Sequence, residues 1–365
     1  LTDRQTDRQT DRQTDRQTSY DYLRAISCIS VVILHVASVY LKDDFADLIS
    51  ETDWVIASFW RVLTNLAVPS FVMLSGAFII KSENACYQEF YTKMFKRILL
   101  PTLIFSAIYV FMYYAEIMLA QMFGMEMGAD KTDFWSPLIN LISGKPHGTM
   151  WYMFMIIPLY CVTPVIVLVK ASLSAKWYRR LAVIMMFYGL AVTRSCSLSW
   201  ILQFVCWLGY FLLGDVIREW TKDIKNNRKK GRRRAIATGL LLASYTALIL
   251  YWYMFTYRTE QVAVPSSFSW IIVCATIMQF IGFSLIPIEN SNGFIKFVAK
   301  YSLEIYLIHP IFVEAYMQLF GRLVRWLPVA GLLPFYSLLI AVVCAGIILR
   351  RQDKKTGSTI TDRTR

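Results

Sequence analysis

The chain predicts an all-α, polytopic integral membrane protein of about ten transmembrane helices. Three observations carry that prediction. Of 365 residues, 56% are apolar and the mean hydropathy is +0.44, too oily for an ordinary soluble domain. Ten apolar stretches are long enough to span a bilayer, some with tilt or polar ends. Lysine and arginine gather in alternate loops rather than along the whole chain.

The stretches lie near 25–42, 54–80, 98–122, 149–169, 180–194, 198–217, 235–256, 267–287, 301–320 and 327–349. The fifth is short and the second long. The basic loops between them are 81–97, with Lys81, Lys93, Lys96 and Arg97; 170–180, with Lys170, Lys176, Arg179 and Arg180; and 218–234, ending Arg228-Lys-Lys-Gly-Arg-Arg-Arg234. The C-terminal tail adds Arg350, Arg351, Lys354 and Lys355. Intervening loops are acidic or weakly charged, as in Lys42-Asp-Asp-Phe-Ala-Asp47. The positive-inside rule therefore places both termini in the cytoplasm, with Arg322 and Arg325 falling on the outer side against it.

So placed, the net charge of +13 orients the chain and does not imply a nucleic-acid partner. The 228–234 cluster reads as a topogenic signal, with an anionic-lipid or nucleic-acid patch as the alternative. The seven cysteines show no paired spacing, and Cys28, Cys161, Cys206, Cys274 and Cys344 sit in apolar runs as small hydrophobes. No metal cluster and no tightly bound cofactor is expected.

Residues 2–17 are four copies of Thr-Asp-Arg-Gln. Their charges cancel and no apolar residue is present, so 1–18 is expected to be a disordered tail without the apolar core of a signal peptide. Residues 19–350 then form the transmembrane domain and 351–365 a cytoplasmic tail. The codons ACA GAC AGA CAG encode one repeat and are themselves a tandem run of the tetranucleotide ACAG. Slippage by one copy shifts the frame, so expression is expected to be phase-variable. A neutral low-complexity tail is the alternative. The chain starts at Leu1, so a start codon upstream is expected.

The most informative pair is Arg24 and His35 in the first stretch. Eleven steps of about 100° return a helix to within roughly 20° of its start, so both lie on one face. At about 1.5 Å per residue they stand roughly 16 Å apart, which puts Arg24 at a membrane surface and His35 near mid-membrane. An ionisable group there is costly and by default suggests function, although a neighbouring helix can also satisfy a single polar residue.

Six motifs in order carry a resemblance. Asp21-Tyr-Leu-Arg-Ala-Ile, with His35 eleven residues after Arg24, resembles the first helix of the acyltransferase-3 family of integral membrane acyltransferases. The likeness is strongest to the branch that O-acetylates bacterial surface sugars. Asn65-Leu-Ala-Val-Pro-Ser-Phe-Val-Met-Leu-Ser-Gly76 is similar to the family's second-helix motif, with Pro69, Ser75 and Gly76 in register. Arg97-Ile-Leu-Leu-Pro101 resembles the start of the third helix, and Trp151-Tyr152 with Leu159-Tyr-Cys-Val-Thr-Pro164 the fourth. Tyr210-Phe-Leu-Leu-Gly214 and Ile305-Tyr-Leu-Ile-His-Pro310 resemble late-helix motifs. Two positions depart. The family often has Arg-x-x-Arg entering the third helix; Arg97 matches the second arginine and Met94 holds the first place. Thr149 stands where the family often has histidine, and His147 is displaced, as expected for an exposed loop histidine.

The resemblance implies acyl transfer from acetyl-CoA to a sugar hydroxyl of a surface or lipid-linked glycan, in the bacterial inner membrane. A hydroxyl needs a base at neutral pH, and imidazole suits that task. His35 is expected to be that base, or else a brief acyl carrier. Arg24, together with Lys93, Lys96 and Arg97, is expected to hold the donor's phosphates; topogenic charge and snorkelling are the alternatives. Ser302, Tyr306 and His309 share a helix face that can meet His35 or the acceptor, or form a polar seam. Trp151 and Tyr152 suit stacking on a sugar ring or an interfacial belt. Ser75 is a supporting candidate, whereas Gly76 fits close helix packing. Expected partners are acetyl-CoA, the glycan and membrane lipids. The rival reading is a transporter or flippase of a lipid-linked saccharide, which predicts an internal repeat and no acetyl-CoA dependence. A non-catalytic scaffold leaves the Arg24–His35 spacing without a reason.

Overall fold

A computed structural model describes residues 2–42, 49–80, 87–123, 135–143, 147–195, 203–288, 290, 292–323, 339–340, 342–344 and 346. Among them there are helices and turns and no strand. The protein is an all-α polytopic membrane protein. Every expected apolar stretch but the last coincides with a helix: α1 (Thr2–Tyr40), α2 (Glu51–Leu63) with α3 (Ala67–Ile79), α4 (Tyr87–Met94) with α5 (Leu100–Phe123), α7 (Trp151–Ser172), α8 (Ala175–Ser195), α9 (Gln203–Asn227), α10 (Lys230–Trp252), α11 (Trp270–Leu285) and α13 (Ser302–Leu323). Two short helices, α6 (Ser136–Ile142) and α12 (Gly293–Lys300), complete the set. The stretch 327–349 lies almost wholly outside the described residues.

Among the described residues, five segments are long and apolar enough to cross a membrane outright: Thr18–Tyr40, Glu51–Ile79, Tyr87–Phe123, Trp151–Ser172 and Lys230–Tyr257. Of the five other expected stretches, four are α8, α9, α11 and α13, which are helical but shorter or interrupted by charge, and 327–349 lies almost wholly outside the described residues. Lys176, Arg179 and Arg180 open α8, and Asp215 to Lys225 polarise the second half of α9. α1 runs back through the Thr-Asp-Arg-Gln repeat to Thr2. Extending a nucleated helix costs far less than starting one, and the buried half of α1 supplies the nucleus.

The described chain forms two compact units, Leu1–Ser75 with Gly214–Arg365, and Gly76–Leu213. In the first, α1 is the central helix. Its Ala25, Cys28, Val32 and Val36 pack with Ala57 of α2 and with Val298, Ala299 and Ile305 of α12 and α13. Val62 and Leu66 join Leu248 of α10 and Ile272 and Ala275 of α11 in a second cluster. At Gly282, a Cβ would lie 2.8 Å from Leu241 Cγ, so α11 lies close against α10. The N-terminal end of the α1 span is tied by Tyr20, whose hydroxyl is 3.0 Å from Ser284 Oγ of α11 and whose ring lies 5.7 Å from Lys225 Nζ of α9.

The join between α2 and α3 is a 3-10 turn over Thr64–Leu66. Pro69 explains it: proline has no N–H for the Asn65 carbonyl and its ring crowds that carbonyl. The Asn65 amide donates to the Pro265 carbonyl, anchoring the loop after α10. Asn65→Ala leaves that buried carbonyl unsatisfied, so the thermal unfolding midpoint is expected to fall with a loss of about 1–3 kcal/mol.

In the second unit, α4 passes into α5 through a π turn at Phe95–Leu99, and α7 carries Pro158 and Pro164. Tyr91 donates to the Cys161 carbonyl at 2.9 Å, in the turn that Pro164 loosens. Gly209 of α9 meets Met186 of α8, where a Cβ would stand 2.5 Å from Met186 Cα. Phe111, Met118, Met122 and Phe123 of α5 are largely exposed. In water they would be an aggregation patch, but against lipid tails they are ordinary solvation.

Candidate active site

The central feature is a pair of histidines inside the first unit. The rings of His35 on α1 and His309 on α13 have centroids 5.2 Å apart and planes inclined by 32°. Two turns earlier, Cys28 Sγ lies 3.8 Å from the Ser302 carbonyl. Both contacts pair residue i of α1 with residue i+274 of α13, so the two helices run parallel in register over that length. Small or slender residues along the seam, Ala25, Cys28 and Val32, allow this approach. The register then carries the histidines together.

His309 is fully buried. Its Nδ1 lies 2.7 Å from the Tyr306 carbonyl oxygen. A carbonyl only accepts, so Nδ1 carries the proton and, in the neutral ring, Nε2 is the acceptor. Pro310 inside α13 removes the N–H that would otherwise bond that same Tyr306 carbonyl, freeing the oxygen for the imidazole. The Tyr306 ring is buried and lies 5.5 Å from the His309 ring.

The other expected residues divide between the units. Arg24 is on the first, half-exposed, with Asp21 at 3.9 Å on the same helix. Such a pair contributes little to stability. Ser75 is half-buried in α3. Lys93, Lys96, Arg97, Trp151 and Tyr152 lie in the second unit. Lys93 pairs with Glu89 one turn earlier. Lys96 and Arg97 are exposed on the π turn, which swings them away from the straight-helix positions. Trp151 packs against Trp207 at 5.9 Å, and Trp207 against Tyr210 at 5.7 Å, so this tryptophan is the outer member of an aromatic stack. Tyr152 stands edge-on to it at 6.3 Å.

Two features of the sequence take on weight only in the fold. His147, expected as an exposed loop residue, is half-buried, stacks on Tyr109 at 4.8 Å and lies 2.8 Å from Thr149 Oγ1 through Nδ1. The Thr149 hydroxyl and the Tyr109 ring together fix the imidazole. Asp215 is fully buried in α9. Its signal was an acid within an apolar run, the same kind of signal that marks His35.

The family profile described as an acyltransferase domain matches residues 17–351. The chain belongs to the acyltransferase-3 family. It is a membrane acyltransferase, and the matched region spans both compact units. It is 25% identical over 349 residues to a Bacillus subtilis (strain 168) protein named "Putative membrane-bound acyltransferase YfiQ", covering 90% of this chain and 88% of the relative. No solved structure matches it.

Proposed function

We propose that this acyltransferase moves an acetyl group from acetyl-CoA to a sugar hydroxyl of a bacterial surface or lipid-linked glycan, at the inner membrane with both termini cytoplasmic. The observation that supports this reading is the His35–His309 pair. His35 takes the proton from the acceptor hydroxyl as its oxygen attacks the thioester carbonyl. The carbon–sulfur bond breaks, and the departing thiolate of coenzyme A receives the proton. His309, held as the Nδ1–H tautomer, is a positioning residue that presents its neutral face to His35 and stabilises the imidazolium formed there. Arg24, Lys93, Lys96 and Arg97 are assigned to the donor's phosphates, and Trp151, Tyr152, Ser75 and Tyr306 to acceptor binding or support.

Cells with the gene deleted are expected to lose an acetyl mass from the surface glycan, seen by mass spectrometry and NMR, and to regain it with the wild-type gene. Unchanged acetylation with an altered amount of glycan would instead favour a transporter. His309→Asn keeps a donor for the Tyr306 carbonyl but removes the second imidazole. It is expected to lower kcat about tenfold or more with KM unchanged. An equal change in KM would assign His309 to substrate binding. Expression is proposed to be phase-variable. Uniform ACAG-register codons across residues 2–17 are expected in the gene, and mixed codon usage would remove that basis.

A further inference from the structure

The first unit carries a half-open pocket of about 240 Å³ on a face of α1 turned away from His35. Ile26, Ser30 and Ile33 line it from α1, and in the helical projection they lie about 160–220° around from His35. Leu63, Thr64, Leu66 and Ala67, around the 3-10 turn between α2 and α3, line it from another side. Tyr245 of α10 and Gln279 of α11 complete it. Every lining residue lies near the middle of its own helical segment, so the cavity is at mid-membrane depth. A helix break at that depth is tolerated where it is buried in protein or lines a filled space.

A directed hydrogen-bond chain ends at this cavity. Ser70 Oγ donates to Gln279 Oε1 at 2.8 Å, and Gln279 Nε2 donates to the Tyr245 hydroxyl at 2.7 Å. Gln279 and Ser70 are buried, so the chain is part of the packed core. The Tyr245 oxygen is thus used as an acceptor, and among the described residues none receives its proton. An O–H donor in a mid-membrane cavity calls for an acceptor inside it, since leaving it unmet costs about 1–3 kcal/mol.

We propose that this cavity is a second binding site, for an uncharged acyl group whose carbonyl oxygen accepts from Tyr245. Its chemistry narrows the occupant. No lining residue is charged, so an ionised ligand is disfavoured. Apolar walls from Ile26, Ile29, Ile33, Leu63 and Leu66 suit a hydrocarbon chain. A cavity of about 150 Å³ holds benzene, so this one holds roughly ten non-hydrogen atoms. The ester carbonyls of bilayer lipids lie about 15 Å from the membrane centre, given a core about 30 Å thick. The carbonyl at Tyr245 therefore belongs to an acyl group that enters this pocket and not to the ester of a bilayer lipid. The site is independent of the proposed acetyl transfer.

The test uses the full chain in lipid nanodiscs and methyl hexanoate labelled with carbon-13 at its carbonyl. Isotope-edited infrared spectroscopy reads the carbonyl band. The wild type is expected to show a saturable, hydrogen-bonded band that empty nanodiscs lack. Tyr245→Phe keeps the ring and is expected to weaken that binding about five- to tenfold, the net value of one hydrogen bond. Ser30→Leu fills the cavity and is expected to abolish it. Unlabelled hexane should compete, and hexanoyl-CoA should compete only if the acyl group arrives on the donor. Thermal unfolding without ligand identifies any variant that fails to fold, and the other variant then decides the result. A band identical in empty nanodiscs, or equal in wild type and both folded variants, would overturn the proposal.

Discussion

His35→Ala is expected to lower acetyl transfer by about 10²- to 10⁴-fold, the range over which a positioned base contributes. The decisive assay is transfer of radiolabelled acetyl from acetyl-CoA in membrane vesicles, at matched protein levels. His35 stands at a half-buried position on α1, so truncating it to alanine removes the imidazole without emptying the core between α1 and α2. The thermal midpoint should therefore change little while activity collapses. Retention of full activity would move the chemistry off α1. If His35 is instead an acyl carrier, stopped reactions should yield an acid-sensitive acetyl-protein that His35→Ala lacks, with ping-pong kinetics. A sequential pattern with no trapped acetyl-protein fits the base.

Gly76→Ala is expected to be the most damaging glycine-to-alanine change among the described residues. A Cβ there would stand 1.8 Å from the Phe211 carbonyl oxygen, a backbone atom that no rotamer change can move. Gly214 is in the same position, with its Cβ 1.9 Å from the Met73 carbonyl oxygen. Both glycines let α3 and α9 touch backbone to backbone, as small residues do in membrane helices. Separating two helices to admit a methyl group costs about 1–3 kcal/mol or more. The expected readouts are a marked fall in the unfolding midpoint and in the folded yield by fluorescence-detected size exclusion. Gly239→Ala on α10 is the control, because nothing lies within 4 Å of its added Cβ. It is expected to be neutral or slightly stabilising, since alanine is the better helix former.

The helices were legible because membrane helices are written locally. A run of apolar residues of bilayer length needs no partner to identify it, and the nine stretches from 25–42 to 301–320 all coincide with helices. Gly76 was legible for the same reason, as a small residue in an apolar run, and the close approach to Phe211 accounts for it. The α2–α3 break at Thr64–Leu66 follows from Pro69, again a local cause. The π turn at Phe95–Leu99, which sets the exposure of Lys96 and Arg97, has the same local cause, since Pro101 has no N–H for the Arg97 carbonyl.

The site divides along the same line. Periodicity alone puts Arg24 and His35 on one face of α1, and Ser302, Tyr306 and His309 on one face of α13, because a helix repeats every 3.6 residues whatever surrounds it. Pattern along the chain also suffices for the membrane class and for the family motifs. The meeting of His35 with His309 is another matter, since 274 residues separate them and no local rule spans that distance. It depends on a parallel register fixed by side-chain volumes at Ala25, Cys28 and Val32. The burial of Asp215, the stacking of His147 on Tyr109 and the Ser70–Gln279–Tyr245 chain were decided likewise, by which helices pack together. Local periodicity sets which residues share a face, and only close packing between distant segments sets what that face meets.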